Sequence, residues 1–318
     1  MQNFMFSINA TIPIFIVIII GYILKERKIL NNEFADISNK LVFQVCLPVL
    51  LFRDLASTDI IGTFDWKFVL FCMITTTISF FGIWGLAKIF LKDKSIIGAF
   101  VQASFRGSAA VLGIAFIQNM YGDAGMAPLM IVGAVPLFNI YSVIVLTFEG
   151  MEQTSSGKAN AKKAIVNICK NPIILGILIG IAGSVCNVYA HMPDILDKTI
   201  NNIAVLATPL ALLSIGVAFE GRKALAKIKP TIAATILKLV VLTSIFLPIA
   251  IGLGFREQKL IALLIMLGAP STPTCYIMAK NMKNDGVLSS SIVVTTTIVS
   301  SITLTGWIYI LKATGMII

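Results

Sequence analysis

The sequence predicts an all-α polytopic membrane protein, and three observations predict it. Asp, Glu, Lys and Arg make up only 13% of the 318 residues, against about 25% in an average soluble domain. Hydrophobic residues make up 57% and the mean hydropathy is +0.93, so a water-soluble fold would lack the charge to cover its surface. The apolar residues also fall into ten long runs with short connections, and one membrane-spanning helix needs roughly 20 apolar residues.

The runs lie at 5–24, 37–55, 66–91, 95–118, 125–148, 172–190, 197–219, 231–254, 258–281 and 287–311. Each is expected to be a helix, spans 1 to 10, because hydrocarbon offers a backbone amide no partner outside its own segment. Span 1 is expected to be retained and not cleaved as a signal peptide, since its charges (Lys25, Arg27, Lys28) follow the apolar run. The longest connection, 149–171, carries Gln153-Thr154-Ser155-Ser156-Gly157 and then Lys158, Lys162, Lys163 and Lys170. It divides the chain into units 1–157 and 158–318, five spans each.

Lys and Arg set the orientation, because short cytoplasmic loops collect them. The loops after spans 1, 3, 5, 7 and 9 hold sixteen, and the opposite side holds six. The first set is expected in the cytoplasm, with both termini outside the cytoplasmic membrane. This placement accounts for the formal net charge of +10 without a nucleic-acid partner; the bilayer is the partner implied. Cys46, Cys72, Cys169, Cys186 and Cys275 show no CxxC spacing and read as small packing residues. The single histidine, His191, falls in a predicted loop, so no metal centre or cofactor and no Ser/His/Asp triad is implied, and an enzyme is not expected.

The halves repeat. Pro13 and Gly21 recur as Pro172 and Gly180 at an offset of 159, Pro48 recurs as Pro209 at 161, and Asn119-Met120-x-x-Asp123 recurs as Asn281-Met282-x-x-Asp285 at 162. Five spans is an odd number, so the second half sits upside down relative to the first. Inverted repeats of this kind build secondary transporters with a midplane site at the repeat interface.

Such sites are lined by interrupted helices. Span 4 reads Ala103-Ser104-Phe105-Arg106-Gly107-Ser108-Ala109, and span 9 reads Gly268-Ala269-Pro270-Ser271-Thr272-Pro273-Thr274-Cys275. The offset of 162 lays Ser108 on Pro270. Two prolines within four residues cannot continue a regular helix, and Thr272 before Pro273 reads as an N-cap followed by proline at the first helical position. Ser108 after Gly107 is placed to cap the second half of span 4 likewise. Simple kinks with close packing are the plainer alternative.

Arg106 lies about a dozen residues into its span, where a guanidinium costs about 2.5–3.5 kcal/mol on insertion scales. One reading is an anion site, in which Arg106 and two half-helix N-termini, each worth about +0.5 charge, hold a carboxylate or dicarboxylate. The other is that Arg106 neutralises the freed carbonyls of the broken helices. All fifteen acidic residues fall in loops or near span ends, which disfavours a cation antiporter with buried aspartates. A coupling cation would be left with hydroxyls and backbone carbonyls, such as those of Thr295-Thr296-Thr297. Lys238 is a second substrate or gating charge, or else it snorkels to the interface, the preferred reading. Gln44, Gln102, Asn139, Tyr141 and Tyr276 are candidates to line a path or to make hydrogen bonds between helices. Gly176-x-x-x-Gly180 reads as close helix packing.

Five stretches resemble the auxin efflux carrier family. They are Lys40-Leu-Val-Phe-Gln-Val-Cys-Leu-Pro48-Val-Leu-Leu-Phe52, Phe105-Arg106-Gly-Ser-x-x-x-x-Gly113, Thr208-Pro-Leu-Ala-Leu-Leu-Ser-Ile-Gly-Val-Ala218, Lys238-Leu followed by Pro248, and Pro270-Ser-x-x-x-x-Tyr276-Ile-Met-Ala279. The resemblance implies ten helices in two inverted five-helix repeats with crossed broken helices 4 and 9. It implies a scaffold of spans 1, 2, 6 and 7 beside a transport domain of spans 3–5 and 8–10, usually a homodimer, and elevator-like movement of organic anions such as malate or auxin. Ser108 stands where the family usually has Asn and Ala115 where it has Pro, so the substrate does not carry over. The resulting expectation is a secondary transporter of a small organic anion. The substrate is expected to bind at Arg106, Gly107, Ser108, Pro270, Ser271, Thr272, Pro273 and Thr274, with Gln102, Asn139, Lys238 and Tyr276 as secondary candidates. A sodium-coupled symporter of the bile-acid type and a passive anion channel are the alternatives.

Overall fold

A computed structural model describes residues 13, 16–57, 65–109, 116–117, 120–122, 125–150, 165–166, 168–219 and 221–317, and every regular element among them is helical. In chain order these are α1 (16–26), α2 (Asn32–Ala56), α3 (Trp66–Phe90), α4 (Ile97–Phe105), α5 (Ala127–Phe148), α6 (Pro172–Val185), α7 (Asp194–Ala218), α8 (Ile228–Gly252), α9 (Gln258–Gly268), α10 (Thr274–Asn281) and α11 (Gly286–Ala313). A short helix, Gly221–Ala226, precedes α8. Helices α2, α3, α5, α7, α8 and α11 are long and apolar enough to cross a membrane, while α6 and α9 are shorter and apolar.

Local chemistry sets the helix starts. Asn31, Asp65, Asn171 and Asp285 each accept a backbone N–H in the first turn of α2, α3, α6 and α11, satisfying a donor the helix cannot. Within α2, Val42–Cys46 widens into a π turn, where Pro48 has no N–H to offer the Gln44 carbonyl. A second π turn, Leu237–Val241, lies within α8; the sequence reading anticipated neither.

Glycines set two of the tightest helix crossings. A methyl group on Gly176 would lie 2.6 Å from the Pro48 carbonyl oxygen, and one on Gly180 would lie 3.1 Å from the Phe52 Cα, so α6 rides directly on the backbone of α2. A methyl on Gly21 of α1 would lie 3.1 Å from the Leu213 Cα of α7. The outer faces remain apolar: Ile228, Ile232, Ile236 and Val240 line one exposed stripe of α8, and Leu70, Ile74, Ile78 and Phe81 one of α3. Stripes of that kind suit lipid and not water. By contrast, every residue of α4 and all of α9 from Leu260 onward are buried. Two short helices therefore end inside the protein, a setting in which irregular backbone is tolerated at membrane depth.

Candidate functional site

Span 4 breaks as expected. Helix α4 ends at Phe105, Arg106 turns extended (φ −96°, ψ 148°), and helical geometry resumes at Ala109. The segment that Ser108 was expected to cap, 110–115 with Ala115, lies outside the described residues. Span 9 breaks at the matching place, between α9 and α10, over Ala269–Pro273. The expected cap shifts by one residue: α10 begins at Thr274 with Pro273 as its N-cap, and Thr272, just before it, accepts the Thr274 N–H at Oγ1 (3.3 Å) and the Cys275 N–H at its carbonyl (2.9 Å).

The two breaks touch. The Ser108 N–H donates to the Pro270 carbonyl at 2.9 Å, joining the two residues that the 162 offset equates. The reciprocal bond is impossible because Pro270 has no N–H. Ser271, 1% exposed, locks the junction further. Its hydroxyl donates to the Ala103 carbonyl near the end of α4 (2.5 Å), and its N–H donates to Thr296 Oγ1 of α11 (3.1 Å). Thr296 Oγ1 also donates to the Ile292 carbonyl within α11, so this hydroxyl already serves structure.

Arg106 is 4% exposed and reaches from the break toward α5 and α10. One terminal nitrogen donates to Ser142 Oγ (3.1 Å) and faces Met278 Sδ (3.1 Å); the other donates to Asn139 Oδ1 (3.1 Å) and Thr274 Oγ1 (3.0 Å). All four partners are uncharged. Among the described residues its buried Nε–H has no partner and no carboxylate pairs with it. Gln102, one turn earlier, donates to the same Met278 sulfur (3.4 Å), while its buried Oε1 has no partner among the described residues.

Lys238 corrects the sequence reading. It is 0% exposed and does not snorkel; its Nζ donates to the Met266 (3.1 Å) and Leu267 (2.8 Å) carbonyls at the end of α9. The role of neutralising freed carbonyls, considered for Arg106, thus falls to Lys238. Gly107 makes the approach possible, since a methyl there would lie 2.9 Å from Lys238 Nζ and 3.0 Å from the Ala269 carbonyl oxygen. Of the half-helix amides expected to face a ligand, those of Ser108, Ser271, Thr274, Cys275 and Tyr276 have partners within the protein, and those of 110–115 lie outside the described residues.

Comparison with known proteins decides the family. A profile described as membrane transport protein matches residues 6–308. The chain belongs to the membrane transport protein family, the auxin efflux carrier-like group. It is 23% identical over 314 residues to an uncharacterized transporter of Methanocaldococcus jannaschii, covering 96% of this chain and 99% of that one. It is 24% identical over 313 residues to one of Methanothermobacter thermautotrophicus (97% and 99%), and 26% identical over 225 residues to the uncharacterized transporter YfdV of Escherichia coli (69% and 70%).

In this membrane transport protein the junction of the two breaks gathers Arg106, Gly107, Ser108, Pro270, Ser271, Thr272, Pro273 and Thr274, with Gln102, Asn139 and Lys238 packed against it. Tyr276 faces elsewhere, accepting from Asn39 Nδ2 of α2 (3.2 Å). Tyr141 shares a hydrogen bond with Thr77 (2.9 Å) and stacks on Phe80, and Gln44 is exposed on α2. The sequence reading missed Ser142 and Met278 as Arg106 partners. Ser142 was within reach of it, because Asn139 and Ser142 are spaced i, i+3 on one face of α5.

Proposed function

We propose that this protein is a secondary transporter of a small organic anion, held where the two broken helices meet and carried across the cytoplasmic membrane by an elevator-type shift. The carrying observation is Arg106. A guanidinium withdrawn from water stays charged and has five N–H donors. Among the described residues its terminal nitrogens meet only neutral groups and its Nε–H has no partner. A carboxylate would satisfy that Nε–H and supply the missing counter-charge. The N-terminus of α10 adds its positive dipole end beside Thr274, and the hydroxyls of Thr272 and Thr274, 3.0 Å apart, are near enough to share an oxygen of the same ligand.

Two contacts support the inverted repeat. Gly21 packs on Leu213 while Gly180 packs on Phe52, and these pairs are related residue for residue by offsets of 159 and 161. Ser108 meets its own equivalent, Pro270, as residues beside a pseudo-two-fold axis do. On this reading α1, α2, α6 and α7 form the scaffold, spans 3–5 and 8–10 carry the crossing, and two chains pair as a homodimer.

The test is a thermal-shift screen of purified protein and the Arg106→Ala variant against carboxylates, indole acids and neutral amino acids. Binding to the folded state raises stability with ligand concentration. Carboxylates are expected to raise the melting temperature of the native protein and not of the variant. Equal stabilisation of both, or stabilisation by neutral amino acids alone, rejects the reading.

A further inference from the structure

Helix α9 ends inside the protein, where its last carbonyls are buried and have no next helical turn to bond. The matching end of α4 receives a neutral group, the Ser271 hydroxyl on the Ala103 carbonyl. At α9 a full positive charge does this work: the Lys238 ammonium bonds the Met266 and Leu267 carbonyls and is wholly buried. Among the described residues no carboxylate pairs with Lys238. The repeat does not explain it, since the 162 offset places the neutral Thr76 opposite Lys238. Local structure is built around it instead. Lys238 sits in the π turn of α8, a distortion that re-aims side chains at functional positions, and Gly107 of the other break leaves room for its amine.

In transporters built from broken helices, unwound carbonyls and half-helix C-termini are where a monovalent cation binds. We propose that the Lys238 ammonium is a tethered substitute for such a cation: a positioning residue that occupies the α9 carbonyls permanently, fixes the Ala269–Thr274 break against Arg106, and leaves sodium no place there. Only its bearing on coupling rests on the transporter reading; its hold on the break does not.

The experiment therefore reads stability and not flux. Melting temperatures of native protein, Lys238→Ala and Lys238→Met are measured at fixed ionic strength in choline, sodium and methylammonium chloride. The native protein is expected to melt at one temperature in all three salts. Lys238→Ala is expected to melt lower in choline and to recover at least half of that loss in sodium or methylammonium, because the vacated space admits a small cation. Lys238→Met, whose side chain fills the space, is expected to lose stability without recovery. A native protein stabilised by sodium over choline overturns the proposal, and so does a Lys238→Ala variant indifferent to the cation. If neither variant folds, Lys238→Gln, whose amide fills the space, and the native-protein salt comparison still decide: stabilisation of either by sodium over choline overturns the proposal, and indifference of both to the cation supports it.

Discussion

At the scale of single residues, the junction of the two breaks is held by groups that leave one another almost no slack. Gly107 shows this most directly, because any side chain there meets Lys238 Nζ on one side and the Ala269 carbonyl on the other. Overfilling a packed site of this kind costs about 1–3 kcal/mol. Gly107→Ala is therefore expected to lower stability by that amount in chemical or thermal unfolding, and to lower it less in a Lys238→Ala background, where one of the two obstacles is gone. Equal losses in both backgrounds would show that the amine is not what Gly107 accommodates. The sequence made Arg106 legible because a mid-span charge needs compensation, and it made the proline-rich break legible because proline has no N–H. The partner of Lys238 stayed hidden for a physical reason: an intramembrane lysine and a freed helix end are both visible in a sequence, but their meeting depends on how α8 lies against α9. The preference for snorkelling assumed a lipid-facing side chain, and the π turn directs it inward.

At the scale of elements, glycine spacing and loop charges make separate predictions. A methyl on Gly176 would meet the Pro48 carbonyl oxygen and Cα, backbone atoms that cannot swing aside, whereas one on the exposed Gly82 of α3 would meet nothing within 4 Å. Gly176→Ala is expected to destabilise the α2–α6 pair by about 1–3 kcal/mol, and Gly82→Ala to be neutral or stabilising by up to about 1 kcal/mol; melting temperatures of the two variants check this. On the loop side, Lys227 lies 3.3 Å from both Asp93 and Asp285, and Asp285 also caps α11. The Ser95 hydroxyl, then the Ser95 N–H and Lys227, hold the Asp93 carboxyl below its ordinary range against the opposing effect of burial. Burial works against the Lys227 charge, but the carboxylates of Asp285 and Asp93 outweigh it and raise its pKa. A depressed carboxyl adds stability above its unfolded value, about 3.9, and loses it as pH falls through the lower folded value; a raised lysine adds stability below about 10.4 and loses it as pH rises beyond. The stability lost in Lys227→Met is thus expected to be constant between about pH 5 and 9 and at most about 1 kcal/mol for so accessible a cluster. It should shrink below about pH 4, and a loss that grows on acidification would contradict this account. Helix positions were legible because apolar length and cap residues act locally: expected spans 66–91 and 125–148 became Trp66–Phe90 and Ala127–Phe148. The π turns were not, since a one-residue widening leaves hydrophobic length unchanged.

At the scale of the whole molecule, the uneven split of Lys and Arg between alternate loops, sixteen against six, predicts an orientation that the chain's own cysteines can report. Cys46, Cys72 and Cys275 are buried, while Cys169 and Cys186 are free and exposed. These two lie just before and just after α6, Pro172–Val185, so a helix that crosses the bilayer puts them on opposite sides. The charge count assigns Cys169, beside Lys170 in the connection between the two halves, to the cytoplasm and Cys186 to the outside. A membrane-impermeant maleimide added to intact cells is expected to label the protein once, and Cys186→Ser to abolish that labelling. Permeabilising the membrane should then expose Cys169, and Cys169→Ser should remove the second label alone. The reverse order would invert the molecule, sending the sixteen-residue basic set outside against the bias that governs insertion. Labelling of both thiols in intact cells would mean that α6 does not cross at all. With α6 gone, the chain would lose the odd number of spans per half that turns its second half upside down, and the meeting of Ser108 with Pro270 would lose its symmetry argument.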